Sequence, residues 1–246
     1  IPPFRGTGGI WEKIDPMEYA HIDAFMSDPV KVWDVLIRGM KDVVDQALPN
    51  DAHKGLARLE ELGIIKTVIT QNVDGLHLRA GSHPEKTYQI HGNVFFMRCA
   101  AECRPDLLAL PEDLIGRDKD QPLAAPEKHL LACPACGGRA RPHVLWFDEI
   151  YNEHHFRFQS ALAAAQATRL LIVVGTSGAT NLPNQVAWSV LGNGGTIFDV
   201  NIESNPFSQL ARQSRDGAFF KTTSSRFLPD LVQRVERWGA LSHPPR

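Results

Sequence analysis

Short apolar strands alternate with helical segments along most of this chain. Strands are predicted over 64–70, 86–90, 169–174, 196–201 and, as an edge strand, 217–222. Helices are predicted over 28–47, 50–63, 153–167, 182–195 and 228–239. Because strands that alternate with helices form parallel sheets with helices on both faces, the chain is predicted to have an α/β fold.

Length and charge exclude several classes of protein. The chain has 246 residues and a formal net charge of -2, which gives no electrostatic reason for binding nucleic acid or anionic lipid. The sequence contains no signal peptide and no apolar run near the ~20 residues that span a bilayer. We therefore expect a cytoplasmic protein, with a monomer as the simplest state. The chain starts within the turn-like sequence IPPFRG, so we expect further residues before Ile1.

The four cysteines form two close pairs, Cys99 with Cys103 and Cys133 with Cys136. This spacing predicts a tetrahedral Zn²⁺ site with four thiolate ligands, since the chain has no secretory features that favour disulfides. The alternative is four thiols without a ligand. A zinc ion with four sulfur ligands has no open position for substrate, so this zinc should be structural. Residues 99–136 are predicted to be an insertion in the α/β fold.

Polar residues follow four of the predicted strands. Such residues often only form turns and caps, but ligands of parallel sheets bind beyond the carboxyl ends of the strands. Glycine and hydroxyl groups suit phosphate, and an acidic residue suits ribose. The sequence therefore indicates a dinucleotide site, although no G-x-G-x-x-G fingerprint supports an ordinary dehydrogenase. The residues concerned are Gln71, Asn72, Asp74, His91, Gly92, Gly175, Thr176, Ser177, Asn201 and Glu203.

His91 has three interpretations: a zinc ligand, a strand-end histidine bonded to backbone, or a general base. Four sulfurs already complete a zinc site, so His91 is not needed as a ligand. Imidazole titrates near neutral pH, which suits proton transfer from a hydroxyl group. The base and the strand-end histidine remain open at this point.

Several motifs together resemble the sirtuins, which are NAD-dependent protein-lysine deacylases. The resemblance implies a Rossmann-like domain over 48–92 and 147–246. It also implies a cofactor loop and helical module over 1–47 and a zinc-binding module over 93–146, with substrates bound in the cleft between domains. The motifs occur in the family's order and cover nearly the whole chain: IPPFRG (1–6), TQNVDGLH (70–77), HGN (91–93), the four cysteines, RPHVLWFDE (141–149), GTS (175–177) and NIE (201–203).

The resemblance implies a role for each of these groups of residues. In the family's reaction the acyl group of the lysine passes to ADP-ribose and nicotinamide is released, so the enzyme is a transferase. His91 would be the general base, with Asn72 as the second catalytic residue. Phe4 and Arg5 would lie in the cofactor loop. The nicotinamide ribose would contact Gln71, Asn72 and Asp74, and the phosphates and adenosine would contact Gly175, Thr176, Ser177, Asn201 and Glu203. The acylated-lysine peptide would pair with a segment that includes Val144, Trp146, Phe147 and Asp148.

Some positions depart from the family pattern. Asp148 replaces the usual Gly, Leu145 replaces Val, and the segment 178–183 replaces the usual Leu-Val-Val-Tyr-Pro run. A carboxylate at position 148 would repel acidic peptides, favour basic ones or alter the acyl channel. No Tyr-x-x-Arg pair occurs near Leu36, so acetyl or longer apolar acyl groups are expected rather than succinyl. The family's first strand and phosphate loop are expected before Ile1. The alternatives are an NAD hydrolase or ADP-ribosyltransferase on this scaffold, and a non-catalytic zinc-bearing module.

Overall fold

The computed structural model describes residues 15–111 and 131–242. Its helices are α1 (Pro16–Tyr19), α2 (Ile22–Ser27), α3 (Pro29–Asp45), α4 (Asp51–Glu61), α5 (Leu76–Arg79), α6 (Glu153–Phe156), α7 (Phe158–Ala167), α8 (Asn181–Gly192), α9 (Pro206–Gln213) and α10 (Ser224–Ser242). Its strands are β1 (Val68–Thr70), β2 (Thr87–Gln89), β3 (Gly92–Cys99), β4 (Leu108–Ala109), β5 (Ala140–Val144), β6 (Leu170–Val174), β7 (Thr196–Asn201) and β8 (Ala218–Lys221).

The chain divides into two compact units. The first comprises Ile1–Leu48, Gln71–Gly75 and His91–Ile150, and the second comprises Pro49–Thr70, Leu76–Ile90 and Tyr151–Arg246. The expected division into a Rossmann-like domain, a helical module and a zinc module stays a prediction.

The first unit contains a three-stranded antiparallel sheet in the order β4–β3–β5. Helix α3 begins where the sequence predicts, because the Asp28 carboxylate accepts the Lys31 N–H at 3.0 Å and Pro29 occupies the first helical position. Its apolar side packs into a cluster in which Phe25, Trp33 and Trp146 are at most 4% exposed. This packing anchors the helices α2 and α3 on the sheet.

The second unit contains two parallel sheets, β1–β2 and β6–β7–β8. Its core joins residues of β6, β7 and helices α7, α8 and α9, with Leu182, Val190 and Ile197 fully buried. A smaller cluster joins α4 and α10 through Leu59 and Leu228. Parallel strands with helices packed on them confirm the expected α/β fold, and β8 is the predicted edge strand.

Three elements differ in length from the sequence predictions. Strand β1 starts only at Val68, because the amides of Ile64 and Ile65 both donate to the Leu59 carbonyl and continue the turn that ends α4. The predicted helix over 153–167 is two helices, since Arg157 adopts a left-handed conformation with φ of 54°. Helix α10 is longer than predicted, starting at Ser224.

No helix of the described residues is both long enough and apolar enough to cross a bilayer.

Candidate functional site

The four cysteines come together in the first unit. Their sulfur atoms all lie within 4.8 Å of one another. The Sγ atoms of Cys99 and Cys136 are 3.7 Å apart, and those of Cys103 and Cys133 are 3.6 Å apart. A disulfide requires about 2.0 Å, so all four cysteines are free thiols in this geometry.

This arrangement fits a zinc ion. With Zn–S bonds of about 2.3 Å, two ligands of a tetrahedral site lie about 3.8 Å apart, close to both sulfur–sulfur distances. The chain turns tightly after Cys133: the Gly137 N–H donates to the Cys133 carbonyl, and the Cys133 N–H donates to the Gly138 carbonyl. Backbone amides of Cys136 and Ala135 lower the pKa of Cys133 to about 6, which favours the thiolate that zinc binds. The four cysteines would therefore hold Zn²⁺ with a complete set of ligands.

His91 lies beside the Gln71–Gly75 segment within the first unit. Its imidazole hydrogen-bonds with the backbone of Gln71, and its own carbonyl accepts the Leu145 N–H at 2.9 Å. The Val94 N–H donates to the Val73 carbonyl at 2.9 Å, so strand β3 is joined to the same segment. The structure thus brings the predicted base into contact with residues predicted to bind the nicotinamide ribose and the substrate.

His91 is neutral at physiological pH. Burial lowers its pKa to about 4, while the hydrogen bond with the Gln71 backbone acts in the opposite direction. Because that bond favours the protonated ring, the imidazole is its donor. In the neutral tautomer the other ring nitrogen is an acceptor, which is the form that a general base requires. His91 is distinct from the cysteine cluster, whose four ligands are all sulfur atoms.

Two glycines allow this close packing around His91. Gly92 has φ of +87°, and a Cβ atom there would lie 2.0 Å from the His143 carbonyl oxygen of β5. Gly75 has φ of +68° and faces Asn93, whose side chain accepts the Phe95 N–H at 2.9 Å. A side chain at either position would be strained, and at Gly92 it would also clash with backbone. The His-Gly pair therefore needs its glycine so that β5 can approach β3.

The remaining residues of the 71–75 segment differ in exposure. Asn72 is exposed and Gln71 is partly buried, whereas Asp74 is 8% exposed. The Asn72 side chain is an exposed amide in the segment that His91 contacts through Gln71, and an amide can donate to a ligand. The buried Asp74 lies next to Gly75 and contributes a carboxylate to the interior of the same segment.

In the second unit, the residues after β6 and β7 form one hydrogen-bonded group. The Asn201 side chain donates to the Thr176 carbonyl at 3.0 Å and accepts the Ile202 N–H at 2.9 Å. Gly175 has φ of +61°, and its N–H donates to the Val200 carbonyl at 3.0 Å. Gly175 and Ser177 are exposed, as is Glu203. These strand ends present backbone, hydroxyl and carboxylate groups, as a dinucleotide site requires.

The predicted substrate segment divides by exposure. Trp146 is 4% exposed, packs against Phe25 with ring centroids 5.4 Å apart, and has the Arg141 guanidinium 3.6 Å above its ring. Phe147, by contrast, is 48% exposed, and Val144 is partly buried. The tryptophan therefore supports the segment from inside, and the phenylalanine is the more exposed of the two aromatic residues.

Glu149 fixes the segment to the sheet. Its carboxylate accepts two hydrogen bonds from Arg141, both at 2.7 Å, one from Arg98 at 2.9 Å and one from the Trp146 N–H at 2.9 Å. Burial raises the pKa of Glu149, but the hydrogen bonds and charge of Arg141 outweigh burial and leave the pKa below its ordinary value. Glu149 is thus an ionised, paired carboxylate under the segment.

The sequence did not predict the partners of two acidic residues in this segment, Asp148 and Glu149. The arginine partners of Glu149 come from β3 and β5, and Asp148 is paired with His21, a residue 127 positions earlier in the chain. Hydrophobic patterns carry no information on such pairs. The signal that was available is the carboxylate at position 148, which departs from the family pattern. The predicted cofactor-loop residues Phe4 and Arg5 lie outside the described residues.

Comparisons with known proteins find one family over most of the chain. The family model described as the Sir2 family matches residues 1–181. An NAD-dependent protein deacylase of Thermococcus kodakarensis is 35% identical over 236 residues, covering 96% of this chain and 85% of that protein. One of Pyrococcus furiosus is 36% identical over 237 residues, covering 96% and 88%.

Solved structures are similar over the whole chain. A mutant Sir2 homologue in complex with ADP-ribose has a TM-score of 0.82 at 32% identity, covering 100% of this chain and 89% of that one. A mutant Sir2 homologue in complex with 2'-O-acetyl ADP-ribose has a TM-score of 0.79 at 32% identity, with the same coverage.

Proposed function

Because the chain belongs to the Sir2 family, the sirtuins, we propose that it is an NAD-dependent protein-lysine deacylase. The acyl group of a lysine side chain passes to ADP-ribose, and nicotinamide is released. The observation that carries this proposal is the contact between His91 and the Gln71 backbone, with Leu145 bonded to the His91 carbonyl. It joins a neutral base to the predicted ribose and peptide segments, and a similar protein binds acetylated ADP-ribose.

We assign the roles of individual residues as follows. His91 accepts the proton of a ribose hydroxyl as that hydroxyl attacks the acyl carbon, and Asn72 orients the nicotinamide ribose. Gln71 and Asp74 complete that part of the NAD site, together with Phe4 and Arg5 of the cofactor loop. The phosphates and adenosine are held by Gly175, Thr176, Ser177, Asn201 and Glu203. The acylated peptide binds along Val144, Trp146, Phe147 and Asp148.

Zinc has a structural role in this proposal. The four cysteines leave no position for substrate, so the ion supplies folding energy and takes no part in acyl transfer. Free thiols also suit a reducing compartment, which supports a cytoplasmic location. An acetyl or longer apolar acyl group is preferred over succinyl, and the enzyme acts as a monomer.

Nicotinamide release tests the proposed reaction. The purified protein is incubated with NAD alone and with NAD plus an acetyl-lysine peptide. Release that requires the peptide supports deacylation, whereas equal release without peptide identifies an NAD hydrolase. Nicotinamide release that is equal with and without peptide, together with transfer of ADP-ribose to protein acceptors, identifies an ADP-ribosyltransferase. No nicotinamide release at all contradicts the proposal and favours a non-catalytic module.

A pair of histidine variants tests the base. His91→Ala should abolish acyl transfer while the protein remains folded, and His154→Ala should retain activity, because His154 is an exposed residue of α6. Retained deacetylation in His91→Ala would refute the assignment of the base. Circular dichroism of both variants separates loss of chemistry from loss of fold.

A further inference from the structure

The carboxylate of Asp148 contacts the start of helix α2. Its Oδ1 and Oδ2 atoms accept the Ile22 N–H at 3.1 and 2.9 Å. Oδ2 also lies 2.8 Å from Nδ1 of His21, and both side chains are 22% exposed. Asp148 is therefore turned to the protein's own helix, and its oxygens already have two partners.

Asp148 acts as the cap that α2 lacks in its own sequence. His21 occupies the N-cap position but makes no capping hydrogen bond with its side chain. The first amides of a helix need acceptors, and a carboxylate near them is also favoured by the helix dipole. Asp148 supplies this acceptor from a distant part of the chain, so the helix start and the 145–149 segment stabilise each other.

Further contacts join the same two segments. The Phe147 N–H donates to the Ala20 carbonyl at 3.0 Å, and Phe25 of α2 packs against Trp146. The adjacent carboxylate, Glu149, bonds instead to the arginines of β3 and β5. Neighbouring acidic residues thus attach the exposed Phe147 to α2 on one side and to the sheet on the other.

We propose that Asp148 is a positioning residue that holds the peptide-binding segment 145–149 against α2, and that it does not read the charge of the bound peptide. The inference rests on the proposed function, since it takes the segment to bind the acyl-lysine peptide. It replaces the expectation that a carboxylate here repels acidic peptides. The carboxylate adds little to discrimination because its oxygens already accept the Ile22 N–H and contact Nδ1 of His21.

Steady-state kinetics on three variants tests the positioning role. Asp148→Ala should raise KM for an acetyl-lysine peptide about fivefold, as expected for loss of a partly exposed hydrogen bond to a charged group. Its kcat should change less than its KM, because His91 is untouched. Asp148→Asn keeps one side-chain oxygen for the Ile22 N–H and should restore most of the affinity. His21→Ala keeps both contacts to Ile22 and should change KM by about twofold at most.

A pair of peptides tests charge reading. The two peptides share the acetyl-lysine and differ only in acidic or basic flanking residues. The ratio of their kcat/KM values should agree within about twofold between the unsubstituted protein and Asp148→Asn. A marked gain for the acidic peptide in Asp148→Asn would overturn the proposal and show that the carboxylate reads peptide charge.

Hydrogen exchange tests the contact without any activity. The Ile22 amide should exchange faster in Asp148→Ala than in the unsubstituted protein. Asp23→Ala is the matched control, because it removes an exposed carboxylate from the same helix turn and leaves the contact in place. It should leave both Ile22 exchange and the peptide KM unchanged.

The two proposals fail in different ways. If the unsubstituted protein deacetylates the peptide but Asp148→Ala keeps its KM, the positioning role is wrong and the proposed function stands. Unchanged Ile22 exchange in Asp148→Ala also overturns the positioning role. If the unsubstituted protein has no peptide-dependent activity, the proposed function fails, and with it the role of Asp148 in peptide binding.

Discussion

Replacing Glu149 by Gln should destabilise the first unit more than any exposed charge change would. The carboxylate is 12% exposed, and its partners Arg98 and Arg141 are 4% and 8% exposed. Removing one member of a buried ion pair costs about 3–5 kcal/mol, because the partner charges stay buried. Gln keeps the shape of Glu and one oxygen acceptor, so we expect a loss of about 3 kcal/mol from the free energy of unfolding.

Urea unfolding followed by tryptophan fluorescence measures this loss. Trp146 lies within the network, since its ring lies under Arg141 and its backbone N–H donates to Glu149. With a slope near the upper end of ~1–3 kcal/mol per M, the midpoint should fall by about 1 M. Glu102→Gln is the matched control, because Glu102 bonds to the same Arg98 but its side chain is 64% exposed. It should cost at most about 1 kcal/mol.

The pH dependence gives a second readout of the same residue. The pKa of Glu149 is lowered in the folded state, so its stabilisation is present above the ordinary carboxyl pKa of about 4.3 and is lost as pH falls through the folded value. The difference between Glu149→Gln and the unsubstituted protein should therefore shrink below about pH 4. A midpoint shift equal to that of Glu102→Gln at neutral pH would refute the reasoning.

Three further predictions concern the surrounding site. Gly92→Ala should cost about 2–5 kcal/mol of unfolding free energy, because it adds a clash with the His143 carbonyl to backbone strain. Gly194 also has a positive φ but no atom within 4 Å of a Cβ, so Gly194→Ala should cost about 1–2 kcal/mol in the same urea assay. Equal costs would contradict the close approach of β3 and β5. Chelation of zinc, or Cys133→Ala, should lower the melting temperature without a separate effect on the chemistry of acyl transfer. Zinc analysis should find one ion per chain, and metal-free protein with an unchanged melting temperature would count against the site. Because the pKa of His91 is about 4, kcat/KM should stay level as pH falls from 7 to about 5. The stability that neutral His91 contributes above its ordinary pKa of 6.5 should be lost as pH falls towards 4. A decline in kcat/KM centred near pH 6.5 that is due to His91 would contradict this pKa.

Local signals in the sequence predicted much of the fold. Asp28 and Asn50 cap helices where the sequence predicts, because N-cap bonds depend only on residues within one turn. The strand over 196–201 was also correct, since a buried strand leaves a short apolar run. The cysteine cluster followed from spacing, because four thiolates suit one ion.

Backbone conformation and long-range pairing could not be predicted in this way. Ile64 and Ile65 look like strand residues, but their amides satisfy the end of α4. Arg157 breaks a helix through a left-handed conformation that residue propensity gives no reason to expect. The pairing of Asp148 with His21 depends on the tertiary fold, so the sequence alone could not show which group the Asp148 carboxylate contacts.

The candidate site lies between these cases. The sequence predicts His91 near the residues proposed to bind ribose and away from zinc, and His91 hydrogen-bonds with the backbone of Gln71, one of those residues. Sequence could not indicate that burial lowers its pKa to about 4, since burial depends on neighbouring segments. Nor could it separate the buried Trp146 from the exposed Phe147, which are adjacent aromatic residues of one segment.

The fate of the acyl group distinguishes acyl transfer to ADP-ribose from release of the acyl group as acetate. A peptide with an isotope-labelled acetyl-lysine is incubated with NAD and the protein, and the products are identified by mass spectrometry. Acyl transfer to ADP-ribose with His91 as the base predicts labelled acetyl-ADP-ribose, nicotinamide and deacetylated peptide in equal amounts, and no acetyl-ADP-ribose with His91→Ala. Labelled free acetate without acetyl-ADP-ribose, or full product formation in His91→Ala, would contradict it.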